Sequence, residues 1–256
     1  MIKELFSVDL SLTGVWQYLK KMHLSYQKAC RHYINYINAS IEAIRLYVEF
    51  LINQLIALPE GGTLIFIDEF SISTRPSTSY MWGEKGKQPT IPSNEKHRQR
   101  TNGFVSVDAL TGDIDLWQSP VAKAAQVAEF CLSQAQKAQD KGLSLLKIVL
   151  DNNKTHQKKM KAIFEQLKQE AKLTMEVHWI HTASYAPKFN LAEYIITILR
   201  KKALHHLQPD FTIEQVFNQL YETIQNETIQ SKEQIWNTLN HIYSLAILGN
   251  YSIKEL

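Results

Sequence analysis

The chain has 256 residues, of which 45% are hydrophobic and 21% charged, and its net charge is +3. This composition is typical of a folded globular protein and excludes disordered and collagen-like chains. No apolar stretch reaches the roughly 18 residues of a membrane span, and the chain does not open on a signal sequence, so we expect a cytoplasmic protein without a membrane partner. The two cysteines, Cys30 and Cys131, lie far apart, which predicts neither a disulfide framework nor a structural zinc site.

Residues 1–32 show helical spacing of apolar side chains. Leu12, Val15, Leu19 and Met22 recur every three or four positions, and Ser11 stands where a helix cap is expected. The pattern predicts a partial helix-turn-helix whose second helix would read DNA, and an ordinary helical hairpin is the alternative. Residues 33–60 continue with helical spacing up to Pro59, which predicts a long helical linker.

From residue 61 to 208 the pattern changes to apolar runs that alternate with helical stretches. Five strands are predicted, and a helix follows each of the last three; the strands cover residues 64–67, 102–109, 114–118, 145–150 and 173–180. This order is that of the ribonuclease H-like fold, an α/β fold in which helices flank a mixed sheet. Residues 209–256 predict two further helices with an acidic surface, which either cap the core or bind a partner.

Three acidic residues stand in positions that suit a metal-dependent nuclease. Asp68 and Asp151 each end an apolar run, and Glu193 stands in the first turn of a predicted helix. Carboxylates gathered in this way are the ligands with which two divalent cations promote displacement at phosphorus. The alternatives are acids that cap a loop and, for Glu193, a charge that complements the helix dipole. If Glu193 is not the third metal ligand, Glu129 and Glu176 are the two residues to test in its place.

Basic residues are concentrated in two segments that flank these acids. Residues 75–101 carry a net charge of +4 and residues 152–205 a net charge of +6, whereas residues 211–256 carry −3. A polyanion such as DNA would be attracted to the two basic segments. Solvated lysine-rich faces are the alternative explanation.

Four short motifs occur in order along the predicted sheet domain. They are DE at 68–69, WGEKGKQP at 82–89, LDNNKTH at 150–156 and SYAPKFNLAE at 184–193. Together they resemble successive signatures of mariner-superfamily transposases, especially the bacterial insertion-sequence branch, over residues 60–205. The last motif departs from the usual pattern at Ala186 and at Leu191-Ala192, and the step of 42 positions from Asp151 to Glu193 is longer than usual.

The resemblance implies a DDE superfamily endonuclease that nicks transposon ends and transfers the freed strand to target DNA. Asp68, Asp151 and Glu193 would hold two Mg²⁺ or Mn²⁺ ions. The implied DNA partners are the terminal inverted repeats of the transposon and the target duplex. A second copy of the chain is expected on paired ends, as a homodimer. The expected location is the bacterial cytoplasm, in association with the nucleoid. Ten residues are expected to contact DNA: Trp82, Lys85, Lys87, Arg98, Arg100, Lys154, His156, Tyr185, Lys188 and Asn190.

Two other functions stay open at this point. The N-terminal segment looks short of one helix-turn-helix, which suits a truncated, inactive transposase remnant that only binds DNA. A generic ribonuclease H-like nuclease would instead cleave without preference for terminal repeats.

Overall fold

The computed structural model describes residues 7–23, 41–76, 90–183, 189–205, 207–208, 210–226 and 232–248. The chain divides into two units, Met1–Ile37 and Asn38–Leu256. In the first unit, helix α1 spans Leu12–Lys21, and the Ser11 hydroxyl accepts a hydrogen bond from the Gly14 amide at 3.1 Å. This confirms the predicted cap. The remainder of the predicted helix-turn-helix lies outside the described residues, so that motif stays a prediction.

The described residues of the second unit form one sheet and six α-helices. Its elements in chain order are α2 (Ile41–Ile56), β1 (Gly62–Ser73), β2 (Arg100–Asp108), β3 (Ile114–Ser119), α3 (Ala124–Asp140), β4 (Leu145–Leu150), α4 (Lys158–Glu170), β5 (Glu176–His181), α5 (Leu191–Ala203), α6 (Ile213–Asn226) and α7 (Lys232–Leu248).

The five strands form a single mixed sheet in the order β3-β2-β1-β4-β5. The first three strands are antiparallel neighbours, whereas β1 with β4 and β4 with β5 are parallel pairs. The parallel pairs require crossovers, which α3 and α4 supply on one face of the sheet. The predicted element order and the ribonuclease H-like fold class are confirmed.

The central strands are buried on both faces, which explains why their sequences are continuous apolar runs. Successive side chains of a strand point to opposite faces, so β1 contributes to two cores. Leu64, Phe66 and Phe70 pack with α2, α5, α6 and α7 on one face. Ile65 and Ile67 pack with α3 and α4 on the other. The two C-terminal helices therefore cover the first core.

Two strands, β1 and β5, differ most from their predicted ends. Strand β1 continues past Ile67 as far as Ser73 because β2 pairs with it along that whole length. Asp68 is therefore inside β1, beyond the end of its pairing with β4. Strand β5 begins at Glu176 and not at Leu173, because Lys172 adopts a left-handed φ of 53° and the Leu173 amide bonds back to the Lys168 carbonyl to close α4.

Helix α2 is anchored in the second unit. Its Val48 and Leu51 are fully buried in the first core. The buried Lys147 ammonium of β4 donates to the carbonyl and the side-chain oxygen of Gln54, at 3.2 and 2.9 Å. A cation beside the last turn of a helix stabilises the carbonyls there. The division of the chain into four domains, with residues 33–60 as a linker, remains a prediction.

Within the described residues, no helix combines the length and the hydropathy that crossing a bilayer requires.

We expect Leu51→Ala to lower the free energy of unfolding by about 2–5 kcal/mol, because it leaves a cavity in the core. Leu46→Ala is the matched control on the same helix, since Leu46 is 56% exposed. It should change stability by less than about 0.5 kcal/mol. Urea denaturation of the two variants measures both values. Equal, small effects would mean that α2 is not part of the core.

Candidate functional site

Asp68 and Asp151 lie side by side at one edge of the sheet. The parallel pairing of β1 with β4 runs from Gly62 opposite Leu145 to Phe66 opposite Val149. Two residues beyond this last pair lie Asp68, within β1, and Asp151, just after β4. Because paired strands are about 4.8 Å apart, the two side chains emerge as close neighbours.

Glu193 is brought to the same edge by the start of helix α5. The fully buried Asn190 caps this helix, and its side-chain oxygen accepts from the Ala192 amide at 3.1 Å. The other end of the same amide group donates to the Ile67 carbonyl at 3.1 Å. Asn190 thus ties the first turn of α5 to the residue before Asp68, and Glu193 is half-buried in that turn.

Asp68 is only 8% exposed, and its carboxyl group lies among other acids. Burial raises its pKa to about 8, with further contributions from the charges of Glu193, Glu69 and Asp151. These acids are therefore close enough to repel one another. A positive charge in their midst would relieve both the repulsion and the cost of burial.

His156 supplies a positive charge on the opposite side of Asp151. It is fully buried, and its Nδ1 lies 2.5 Å from Asp151 Oδ1 while its Nε2 lies 2.8 Å from Glu69 Oε1. Burial acts to lower the pKa of this imidazole, but the hydrogen bonds to Asp151 and Glu69 outweigh it and raise the pKa to about 10. The same imidazolium keeps the pKa of Asp151 low in spite of its partial burial.

The backbone around Asp151 is held by the end of strand β5. Nδ1 of His181 lies 3.2 Å from the Asp151 carbonyl oxygen, and the Asn152 side chain donates to the Thr182 carbonyl. The Asn153 amide donates to Asp151 Oδ1 at 2.9 Å. Both the main chain and the carboxylate of Asp151 are thereby fixed.

The donor set suits a divalent cation, since Mg²⁺ and Mn²⁺ prefer carboxylate oxygens. Asp68, Asp151 and Glu193 are the residues that could hold it. In the part of the chain that the structure describes, no three His, Cys, Asp or Glu side chains already converge on one point as metal ligands do. Binding a cation would thus require at least one of these carboxylates to move.

The residues expected to contact DNA fall into three groups. Arg98, Arg100 and Lys154 are exposed, and Arg100 also donates to Ser71 at the end of β1. His156 and Asn190 are fully buried and bonded within the protein, which argues against a direct contact of either side chain with DNA. The remaining five lie outside the described residues: Trp82, Lys85, Lys87, Tyr185 and Lys188.

The two substitutes for Glu193 lie elsewhere. Glu176 is opposite Leu145, at the end of β4 that is remote from Asp151. Glu129 is exposed on α3, and its charge is not one of those that raise the pKa of Asp68.

Sequence reasoning assigned no role to Glu69. A signal was present, because strand alternation sends Glu69 to the face opposite Asp68. What the sequence could not reveal is the buried imidazole that meets it there.

A mixed ribonuclease H-like sheet with three acids at one edge is an arrangement that suits phosphoryl transfer. The sequence model of the DDE superfamily endonuclease family matches residues 63–212, which include all three acids. The chain belongs to this family, and the predicted endonuclease class is confirmed. No curated protein matches the chain.

Solved structures of the mariner transposase Mos1 share the fold. The paired-end complex with Mg has a TM-score of 0.69 at 18% identity, and the match covers 98% of this chain and 73% of the Mos1 chain. The strand transfer complex has a TM-score of 0.66 at 17% identity, with coverage of 98% and 73%. The paired-end complex with Mn has a TM-score of 0.65 at 18% identity, with coverage of 97% and 73%.

We expect Asp68→Asn to stabilise the cation-free protein at high pH. A folded-state pKa of about 8, against an ordinary 3.8, means that the stability contributed by protonated Asp68 is complete below pH 4 and lost as the pH rises through 8. The asparagine keeps the acceptor for the Glu69 amide but cannot ionise. The gain should be on the order of 2–5 kcal/mol at pH 9 and near zero at pH 4.

Urea denaturation in the presence of a chelator measures this difference. A gain of the same size at both pH values would show that ionisation of Asp68 is not its origin.

We expect Asn190→Ala to lower the free energy of unfolding by about 1–2 kcal/mol, because the helix loses its cap. The exposed Lys154→Ala is the comparison, and it should leave stability unchanged while it weakens binding to a duplex in a fluorescence anisotropy assay. Unchanged stability with weakened DNA binding in Asn190→Ala would restore the role in DNA contact that burial argues against.

Proposed function

We propose that this protein is a DNA transposase, which nicks transposon ends and joins the freed 3′-hydroxyl to target DNA. The observation that carries the proposal is that Asp151 and Glu193 lie close enough to Asp68 for their charges to act on it, inside the matched endonuclease segment. The four motifs along the sheet and the fold shared with Mos1 favour transposition over general nuclease activity. These motifs also suggest the bacterial insertion-sequence branch and action on DNA of the bacterial nucleoid.

The three acids would hold two Mg²⁺ or Mn²⁺ ions. Mos1 complexes that contain Mg and Mn support the choice of ion. When bound, such ions lower the pKa of an attacking water or hydroxyl and stabilise the leaving oxygen. Cation binding would keep Asp68 ionised, which burial and its neighbours otherwise oppose. His156 and the end of β5 hold Asp151, and Asn190 holds the turn that carries Glu193.

Double-stranded DNA is the proposed partner, as terminal inverted repeats and as target. A solved Mos1 transposase paired-end complex with a left transposon end supports this proposal. Arg98, Arg100 and Lys154 are exposed and could offset phosphate charge. A homodimer on paired ends is the expected assembly.

The decisive experiment incubates the full chain with duplexes that contain the ends flanking its coding sequence, in the presence of Mg²⁺. Nicks are mapped to the nucleotide. Cleavage at the repeat boundary supports a transposase. Cleavage at any sequence favours a generic ribonuclease H-like nuclease, and binding without cleavage favours an inactive remnant.

We expect Asp68→Asn, Asp151→Asn and Glu193→Gln each to abolish nicking and to leave end binding nearly intact, since each removes one cation ligand. Glu176→Gln is the matched control, because it makes the same chemical change at the remote end of the sheet. Its nicking rate should equal that of the wild type. A variant of Asp68, Asp151 or Glu193 that cleaves normally would remove its residue from the site.

A further inference from the structure

A buried imidazole connects the two central strands of the sheet beyond the end of their backbone pairing. His156 has no exposed surface and contacts Glu69 of β1 through Nε2 and Asp151, just after β4, through Nδ1. The residue lies in a short 3₁₀ turn, Lys154–His156, whose own cap is the side chain of Asn153. The ring thus spans the gap where β1 and β4 no longer share hydrogen bonds.

The neighbouring acids of β1 have different surroundings. Because strand side chains alternate between the two faces, Asp68 lies on the same face as Phe66 and Phe70, toward the core that α5 covers. Glu69 follows Ile65 and Ile67 and faces the core of α3 and α4, where His156 lies. Asp68 can therefore face Glu193, while Glu69 contacts His156 on the opposite face of the sheet.

The orientation of the Asp151 carboxylate is set by two donors on one oxygen. Oδ1 lies 2.5 Å from His156 Nδ1 and accepts from the Asn153 amide at 2.9 Å. A carboxylate held in this way loses its freedom to rotate. Since Asp151 is 37% exposed in its side chain, rotation would otherwise be available to it.

We propose that His156 and Glu69 are positioning residues: Glu69 anchors the imidazole, and the imidazole holds the Asp151 carboxylate in the orientation that binds a divalent cation. The inference rests on the proposed function, because it assigns Asp151 as a ligand. Partners that orient a metal-binding carboxylate in this way contribute strongly to metal affinity. Neither residue needs to touch the cation.

A purely structural role makes a different prediction. A buried ionic triad that only stabilises the fold would change stability when broken and would leave the cation affinity of the folded protein unchanged. Affinity for Mn²⁺, measured in solution without DNA, therefore separates the two roles.

The test titrates the full chain with manganese chloride and follows free Mn²⁺ by electron paramagnetic resonance. His156→Gln keeps a nitrogen near the position of Nε2 but loses the one at Nδ1, so it breaks the bond to Asp151. Glu69→Leu removes the anchor, whereas Glu69→Gln keeps an acceptor oxygen. We expect the first two variants to bind Mn²⁺ about 10–100-fold more weakly than the wild type, and Glu69→Gln to bind almost as well.

His178→Gln is the matched control. His178 also pairs with a glutamate, Glu176, at 2.6 Å, but the pair is exposed on β5 and remote from Asp151. Its affinity for Mn²⁺ should not change. Urea denaturation establishes that each variant is folded, and if His156→Gln does not fold, the two Glu69 variants carry the test.

Two outcomes separate this inference from the proposed function. Folded His156→Gln and Glu69→Leu proteins that bind Mn²⁺ as tightly as the wild type would overturn the positioning role and leave the metal site intact. A wild-type chain that binds no Mn²⁺, or an Asp151→Asn variant that binds it normally, would contradict the proposed metal site itself.

Discussion

The parallel pairing of β1 with β4 stops at Phe66 and Val149, and the site depends on this stop. Up to that point, both strands are covered on both faces, and apart from Thr63 and Lys147 they carry only apolar side chains or glycine. Beyond it, the backbones diverge and polar side chains can reach water or a ligand. Asp68 and Asp151 are the first acids after the stop, and β2 keeps β1 extended so that Asp68 cannot move away from the edge.

Two aspartates at this edge have opposite electrostatic surroundings. Asp68 is buried among acids and its pKa is raised, whereas Asp151 contacts a buried imidazolium and its pKa is lowered. The site therefore holds one carboxylate, Asp151, that the imidazolium keeps charged, and one, Asp68, that needs a bound cation to be charged at neutral pH. This asymmetry comes from the two faces of the sheet, since Glu193 lies on one and His156 with Glu69 on the other.

Much of the fold was predictable because its signals are local. Apolar runs identify strands buried on both faces, and spacing of three or four residues identifies the helices that cover them. The errors lie at strand ends, whose positions depend on pairing with a neighbouring strand or on turn geometry. Strand β1 is longer than its apolar run because β2 pairs with its polar end, and β5 starts late because Lys172 turns the chain.

The sequence by itself determined the class of protein: the order of elements, the three acids and the motifs that place the chain among DDE superfamily endonucleases. Only the tertiary structure decided what surrounds those acids. Asn190 meets Ile67 from 123 positions away, and His156 meets Glu69 from 87 positions away. Whether such a residue faces DNA or the interior depends on how distant elements pack, and no local pattern encodes that choice. His156 and Asn190, which were expected at the DNA surface, are instead buried. There His156 contacts Asp151, and Asn190 caps the helix that carries Glu193.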